Sequence, residues 1–172
     1  MTEILWLGRG GQGAFTAAKI LGAAFALHPA CHALAFPSFG PERRGAPVRA
    51  FTKLDSKPIS DRSETEKADY IIILDDTLYS DALRNLLKPD GKILINTKQT
   101  ENKPLIAFDG DALARELKLP VVNTVMMGAL AGLSGIVSVQ NLDEAIQKYM
   151  PEKIREKNKT AVRKAAEEAG TL

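Results

Sequence analysis

The chain has 172 residues, 45% hydrophobic and 26% charged, the proportions of one soluble globular domain able to bury a full core. A net charge of +2 is too small to argue for nucleic acid or an anionic membrane as a partner. The single cysteine, Cys31, excludes an internal disulfide and any four-cysteine zinc or iron–sulfur site.

Ile4-Leu5-Trp6-Leu7 reads as a short buried strand. The start, Met1-Thr2-Glu3, has no basic stretch or cleavage site of a signal peptide, and with one cysteine the expected location is cytoplasmic. Gly8-Arg9-Gly10-Gly11-Gln12-Gly13 follows, then a helix over 14–27 whose only charge is Lys19. A helix apolar nearly all round should be covered on more than one side. Strand, glycine turn and helix open a βαβ unit, and the spacing matches G-x-G-x-x-G. A dinucleotide site also needs an acid at the end of the second strand. No acid lies between Gly13 and Glu42, so dinucleotide binding is not expected. The glycines then serve close packing, or they receive a phosphate or a partner group.

His28, Cys31 and His32 lie close together, but Pro29 intervenes and no fourth ligand is near. They read as a helix-end turn. A strand over 32–36 leads into Phe36-Pro37-Ser38-Phe39-Gly40-Pro41-Glu42-Arg43-Arg44-Gly45-Ala46-Pro47. Three prolines and two glycines exclude a helix or a central strand here. The segment is either a rigid surface turn or a functional loop. Two aromatic rings and the Glu42-Arg43-Arg44 triplet favour function, because each guanidinium fork suits a carboxylate or a phosphate.

Further strands are expected over 48–54, 69–74, 92–96 and 104–108, with an irregular connection with room for a short helix over 55–69 and a turn over 88–91. After the second of these strands, Asp75 and Asp76 either hold a metal or, by cap preference, start a helix reaching Leu87. A short helix covers 109–117. Residues 121–142 carry no charge and read as one buried helix rather than a membrane span, with Gly128 and Gly132 admitting another backbone. A short amphipathic helix over 143–150 and a charged, largely solvated helix over 152–169 complete the chain. The alternation predicts a single α/β domain over 1–172 with a largely parallel sheet and a C-terminal helical segment. No serine nucleophile elbow, Walker lysine or diphosphate motif is present, and Asp109-Gly110-Asp111 lacks the partners such a motif needs. A chain with shaped loops but no complete catalytic constellation suits a subunit.

The glycine turn and the arginine loop, with Asn123-Thr124-Val125-Met126-Met127-Gly128-Ala129, resemble the gamma subunit or gamma domain of the 2-oxoacid:ferredoxin oxidoreductases. The Arg43-Arg44-Gly45-Ala46-Pro47 stretch looks more like the pyruvate type than the 2-oxoglutarate type. The resemblance implies a Rossmann-like three-layer unit that packs against thiamine-binding subunits. The complex would convert a 2-oxoacid and coenzyme A to acyl-CoA and carbon dioxide with reduction of ferredoxin. Thiamine diphosphate, iron–sulfur clusters and coenzyme A would be held mainly by alpha, beta and ferredoxin-like delta subunits or fused equivalents, and this chain alone would bind none and show no activity. Gly10, Gln12, Gly13, Glu42, Arg43 and Arg44 are the candidate ligand- or interface-forming residues; no catalytic residue and no metal ligand is expected. A subunit keeps apolar surface for its partners, so the free chain is expected to self-associate, a homodimer being one such form. The alternative is a stand-alone nucleotide-binding or assembly protein on the same fold.

Overall fold

The computed structural model describes residues 1–38, 45–98 and 105–172. Its strands are β1 (Thr2–Arg9), β2 (His32–Pro37), β3 (Pro47–Asp55), β4 (Ala68–Ile73), β5 (Leu87–Asn96) and β6 (Ile106–Phe108). Its helices are α1 (Ala14–Phe25), α2 (Gly110–Glu116), α3 (Asn123–Ser134), α4 (Val139–Tyr149) and α5 (Glu152–Ala169). The strands form one sheet in the order β2-β3-β1-β4-β5-β6.

β1, β4, β5 and β6 are parallel neighbours, whereas β3 runs antiparallel to both β1 and β2. The sheet is therefore mostly parallel, as expected, with one reversed strand. That strand changes the opening unit. β2 does not lie beside β1, because β3 sits between them, and β2 and β3 form a hairpin whose connection is the arginine loop.

The strands alternate their side chains between two apolar layers. Ile4, Trp6, Ile72 and Leu94 face the helices, and Leu5, Leu7, Ile71, Ile73, Ile93 and Ile95 face away from them. The helical layer is thick. α1 packs on β1, β2 and β3 and against α3 and α4, so its apolar surface is covered on several sides, and α5 lies outside α3 and α4. Trp6 is fully buried here, its Nε1–H donating to Thr52 Oγ1 at 3.0 Å while Thr52 donates to the Ala18 carbonyl at 3.0 Å. The opposite layer is thin. In place of the expected α-helix up to Leu87 there are two 3-10 turns, Asp76–Leu78 and Asp81–Leu86, separated where Tyr79 and Ser80 take extended backbone. Leu78, Leu83 and Leu86 then reach the sheet.

Three further expectations change, and one is refined. The turn over 88–91 is a bulge within β5: the pairing passes from Ala68↔Leu87 to Tyr70↔Lys92, so Lys88 to Gly91 stand opposite Asp69 alone. The uncharged stretch 121–142 is two helices rather than one. Gly135 closes α3 in the left-handed region at φ 64, and Ser138 Oγ accepts from Asn141 N–H to begin α4. α5 is solvated on most of its surface, as expected, but Asn158, Ala161, Val162, Ala165, Ala166 and Ala169 are buried along one stripe. Its partner is the pair of close-packing glycines: a Cβ on Gly128 would lie 2.6 Å from Val162 O, and one on Gly132 2.1 Å from Ala166 O. Thr124 Oγ1 donates to Asn158 Oδ1 at 2.6 Å across the same contact. The connection between β3 and β4 holds no helix. It is tied down by Lys53, which is fully buried and meets Asp61 at 2.6 Å and Glu3 at 3.6 Å. Lys53, then Ser63, hold the Asp61 carboxyl far below the usual carboxylate range. Among the described residues no helix is long and apolar enough to cross a membrane.

Candidate functional site

The glycine turn lies at the carboxyl end of β1, where parallel α/β sheets place their ligand crevices. Gln12 folds back so that its Oε1 accepts from Arg9 N–H at 2.7 Å, while Gln12 N–H donates to Arg9 O at 3.0 Å. Gly13 takes φ 78 just before α1, with no side-chain cap on the helix. A Cβ at Gly13 would lie 2.5 Å from Asn123 Nδ2, which donates to the Gly13 carbonyl at 3.1 Å. Asn123 begins α3, so the two helix starts are joined through a space only glycine leaves open.

The arginine loop returns to the same turn. Gly10 N–H donates to Ala46 O at 2.8 Å, and Gly45 N–H to Gly10 O at 3.3 Å. The other base of the loop is fixed by Ser38, whose N–H donates to Arg49 O at 2.9 Å and whose Oγ donates to Glu64 Oε1 at 2.5 Å. Glu42, Arg43 and Arg44 lie outside the described residues, whereas Gly10, Gln12 and Gly13 stand together at the loop's C-terminal base.

Arg9 organises this junction, a role that its place in the glycine motif does not mark. Its guanidinium donates to Asp75 Oδ2 at 3.0 Å, to Thr77 Oγ1 at 2.7 Å and to Gly45 O at 3.1 Å. Asp75 also caps the first 3-10 turn by accepting from Thr77 N–H at 3.1 Å, so the capping reading holds. Partial burial raises the Asp75 carboxyl pKa, but the Thr77 hydrogen bonds and the Arg9 guanidinium outweigh it and hold the group below the usual range.

Beside the turn lies a polar cleft of about 420 Å³ lined by Gln12, Asp75, Asp76, Asn96, Lys98, Asp109 and Asp111, among others. Asn96 closes its floor, donating to Leu74 O at 3.0 Å and accepting from Asp111 N–H at 3.2 Å. Four carboxylates outnumber Lys98 and Arg9 here and disfavour a phosphate in the place where a dinucleotide would lie. Asp109 is engaged as the cap of α2, accepting from Ala112 N–H at 2.9 Å. No group of three or more His, Cys, Asp or Glu among the described residues has metal-site geometry. His28 Nδ1 accepts from Ala30 N–H at 3.3 Å, as a helix-end turn would.

Residues 3–168 match the protein family described as pyruvate ferredoxin/flavodoxin oxidoreductase. The chain belongs to this family. Within it, the pyruvate synthase subunit PorC of Methanothermobacter marburgensis is 46% identical over 173 residues, covering 97% of each chain. The pyruvate/ketoisovalerate oxidoreductases common subunit gamma of Pyrococcus furiosus is 39% identical over 180 residues, covering 97% of this chain and 96% of the relative. The crystal structure of the pyruvate oxidoreductase subunit PORC of Thermotoga maritima superposes with a TM-score of 0.81 at 34% identity, over 96% of this chain and 95% of that one. The 2-oxoglutarate:ferredoxin oxidoreductase of Magnetococcus marinus has the same fold over 31% of its chain, at 20% identity and a TM-score of 0.80.

Proposed function

We propose that this chain is the gamma subunit of a pyruvate:ferredoxin oxidoreductase, and that its glycine turn and arginine loop form one working surface at the partner-subunit boundary. The subunit assignment rests on one observation: similarity to gamma subunits runs over almost the whole length of both chains. The complex converts a 2-oxoacid and coenzyme A to acyl-CoA and carbon dioxide and passes the electrons to ferredoxin. Pyruvate is our choice of oxoacid, on the Arg43-Arg44-Gly45-Ala46-Pro47 stretch and the names of the relatives.

The residues of this chain do not fit an iron–sulfur cluster or thiamine diphosphate. One cysteine cannot ligate an iron–sulfur cluster, and Asp109, at the start of Asp109-Gly110-Asp111, is engaged as a helix cap. We therefore assign thiamine diphosphate and the clusters to alpha, beta and delta subunits or their fused equivalents, in the cytoplasm. The contribution of this chain is positional. The Arg9 junction holds the loop base at Gly45 and Ala46 beside the glycine turn, and Glu42, Arg43 and Arg44 immediately precede that base in the sequence. One of the two arginines meets an anion, a partner carboxylate or a phosphate of coenzyme A.

Reconstitution tests this. Mixing the other subunits with pyruvate, coenzyme A and ferredoxin, with and without this chain, should give acetyl-CoA formation that depends on the chain. Full activity without it, or activity from the chain alone, would overturn the proposal.

A further inference from the structure

β2 is an edge strand, paired on one side with β3 and, among the described residues, with no strand on the other. Ser38 N–H donates to Arg49 O, one residue beyond the Pro37↔Ala50 pair. Alternation along an antiparallel ladder then turns the backbone groups of Leu34 and Phe36 toward β3 and those of Ala33 and Ala35 outward. Pro37, which has no N–H, falls at an outward position, where a missing donor is tolerated. Edges of soluble sheets are usually guarded by charge, by proline, by a bulge or by a covering element, and Pro37 guards only the last outward position of β2. β2, His-Ala-Leu-Ala-Phe-Pro, carries no lysine, arginine or acid.

Between this edge and α1 runs an apolar groove of about 320 Å³. Ala33 and Ala35 form one wall, Phe15, Ile20 and Ala23 the other, and the half-exposed Tyr149 of α4 closes one side. Lys19 lines the groove, and Lys148 stands over the Tyr149 ring that closes its side. Lys19 Nζ rests 5.5 Å from the centre of the Phe15 ring, and Lys148 Nζ lies 5.4 Å from that of Tyr149. Neither lysine makes an ion pair among the described residues.

We propose that this edge and groove receive an extended segment of another subunit of the complex, which adds a strand beside β2. The segment places alternate apolar side chains between α1 and β2 and sets carboxylates against Lys19 and Lys148. A strand-and-helix groove open along an edge suits this mode, in which backbone hydrogen bonds give affinity and the groove selects side chains. Charge favours a different subunit over a second copy of this chain, since the groove's own lining carries lysine and no carboxylate to offer in exchange. The inference rests on the gamma-subunit reading and specifies one of its contacts.

The test is hydrogen exchange by mass spectrometry on the full chain, free and reconstituted with the other subunits, following the peptide over 32–37. On assembly the outward amides of Ala33 and Ala35 should slow by roughly tenfold or more. The Lys19→Glu, Lys148→Glu double variant should weaken association by about tenfold. A complex that forms while these amides exchange as before would overturn this inference and leave the subunit reading standing. Protection that rises with concentration of the free chain, and is unchanged by the other subunits, would overturn it in favour of a second copy. Failure to form any complex would overturn both readings.

Discussion

Asn123 Nδ2 donates to the Gly13 carbonyl at 3.1 Å, across 110 residues of sequence, and so ties the start of α3 to the start of α1. The bond and the glycine depend on each other. An alanine at 13 would carry the cost of φ 78, and its Cβ would press on the Asn123 amide. Gly13→Ala should destabilise the chain by about 1–3 kcal/mol. Asn123→Ala should cost about 0.5–1.5 kcal/mol. The double variant should cost less than the sum, because removing the amide relieves the clash. Urea unfolding of the two single variants and the double variant measures the coupling; strict additivity would show that the two residues do not act as a pair.

The Arg9–Asp75 contact carries a pH dependence whose sign is fixed. Asp75 has a lowered carboxyl pKa in the folded chain. Its contribution is therefore present above the unfolded carboxylate value and lost as pH falls through the folded one, a window below about pH 4. Asp75→Asn should remove that contribution without introducing a new one above neutrality. Arg9→Lys should loosen the Gly10–Ala46 contact while leaving melting within a few degrees, because a lysine cannot bond Asp75, Thr77 and Gly45 together. Exchange of the Gly10 and Gly45 amides, compared with thermal melting, separates the local effect from the global one.

Gly132 supports a different contact. Its missing side chain lets Ala166 O approach to within 2.1 Å of where a Cβ would sit, and that neighbour is backbone. Gly132→Ala must move α5 off α3, at a cost of about 1–3 kcal/mol. For a chain of this length that lowers the melting temperature by roughly 2–12 °C. The same substitution at Gly135, where nothing lies within 4 Å, should act only through its positive φ and cost less.

NAD and NADP should not bind with micromolar affinity. The crevice at the carboxyl ends of the strands presents Asp75, Asp76, Asp109 and Asp111 to any phosphate. Isothermal calorimetry with both nucleotides decides this, and micromolar binding would favour a stand-alone nucleotide-binding protein.

Arg43→Ala and Arg44→Ala should leave the free chain's melting temperature within a few degrees. In the reconstituted complex, at least one should raise the KM for coenzyme A or weaken subunit association by about tenfold to a hundredfold, the loss of a charge-assisted contact of about 1.5–3 kcal/mol. If both variants instead unfold the free chain and leave the complex's kinetics unchanged, the loop is structural.

Elements with strong local patterns were readable from the sequence. The run from Tyr70 to Leu74 and the strand–glycine–helix opening appear where their composition places them. Pairing was not readable, because nothing in 48–54 marks β3 as reversed; its neighbours on both sides decide that. The turn chemistry of Lys88-Pro89-Asp90-Gly91 is real, but parallel pairing on either side absorbs it as a bulge. Lys53 was invisible as a core residue, since only Asp61 and Glu3 make its burial tolerable. Arg9 had an available signal. Arg9 and Asp75 each follow an apolar run at the carboxyl end of a strand, and parallel neighbours bring such ends together.

Trp6 is the chain's only tryptophan, and it is fully buried with its indole N–H bonded to Thr52. Emission excited beyond the tyrosine absorption band thus comes from one indole, buried where the sheet meets the helical layer. A red shift reports loss of the core itself. Substitutions at Arg43, Arg44, Lys19 or Lys148 that alter assembly should leave that emission unmoved, giving each variant an internal optical standard of foldedness.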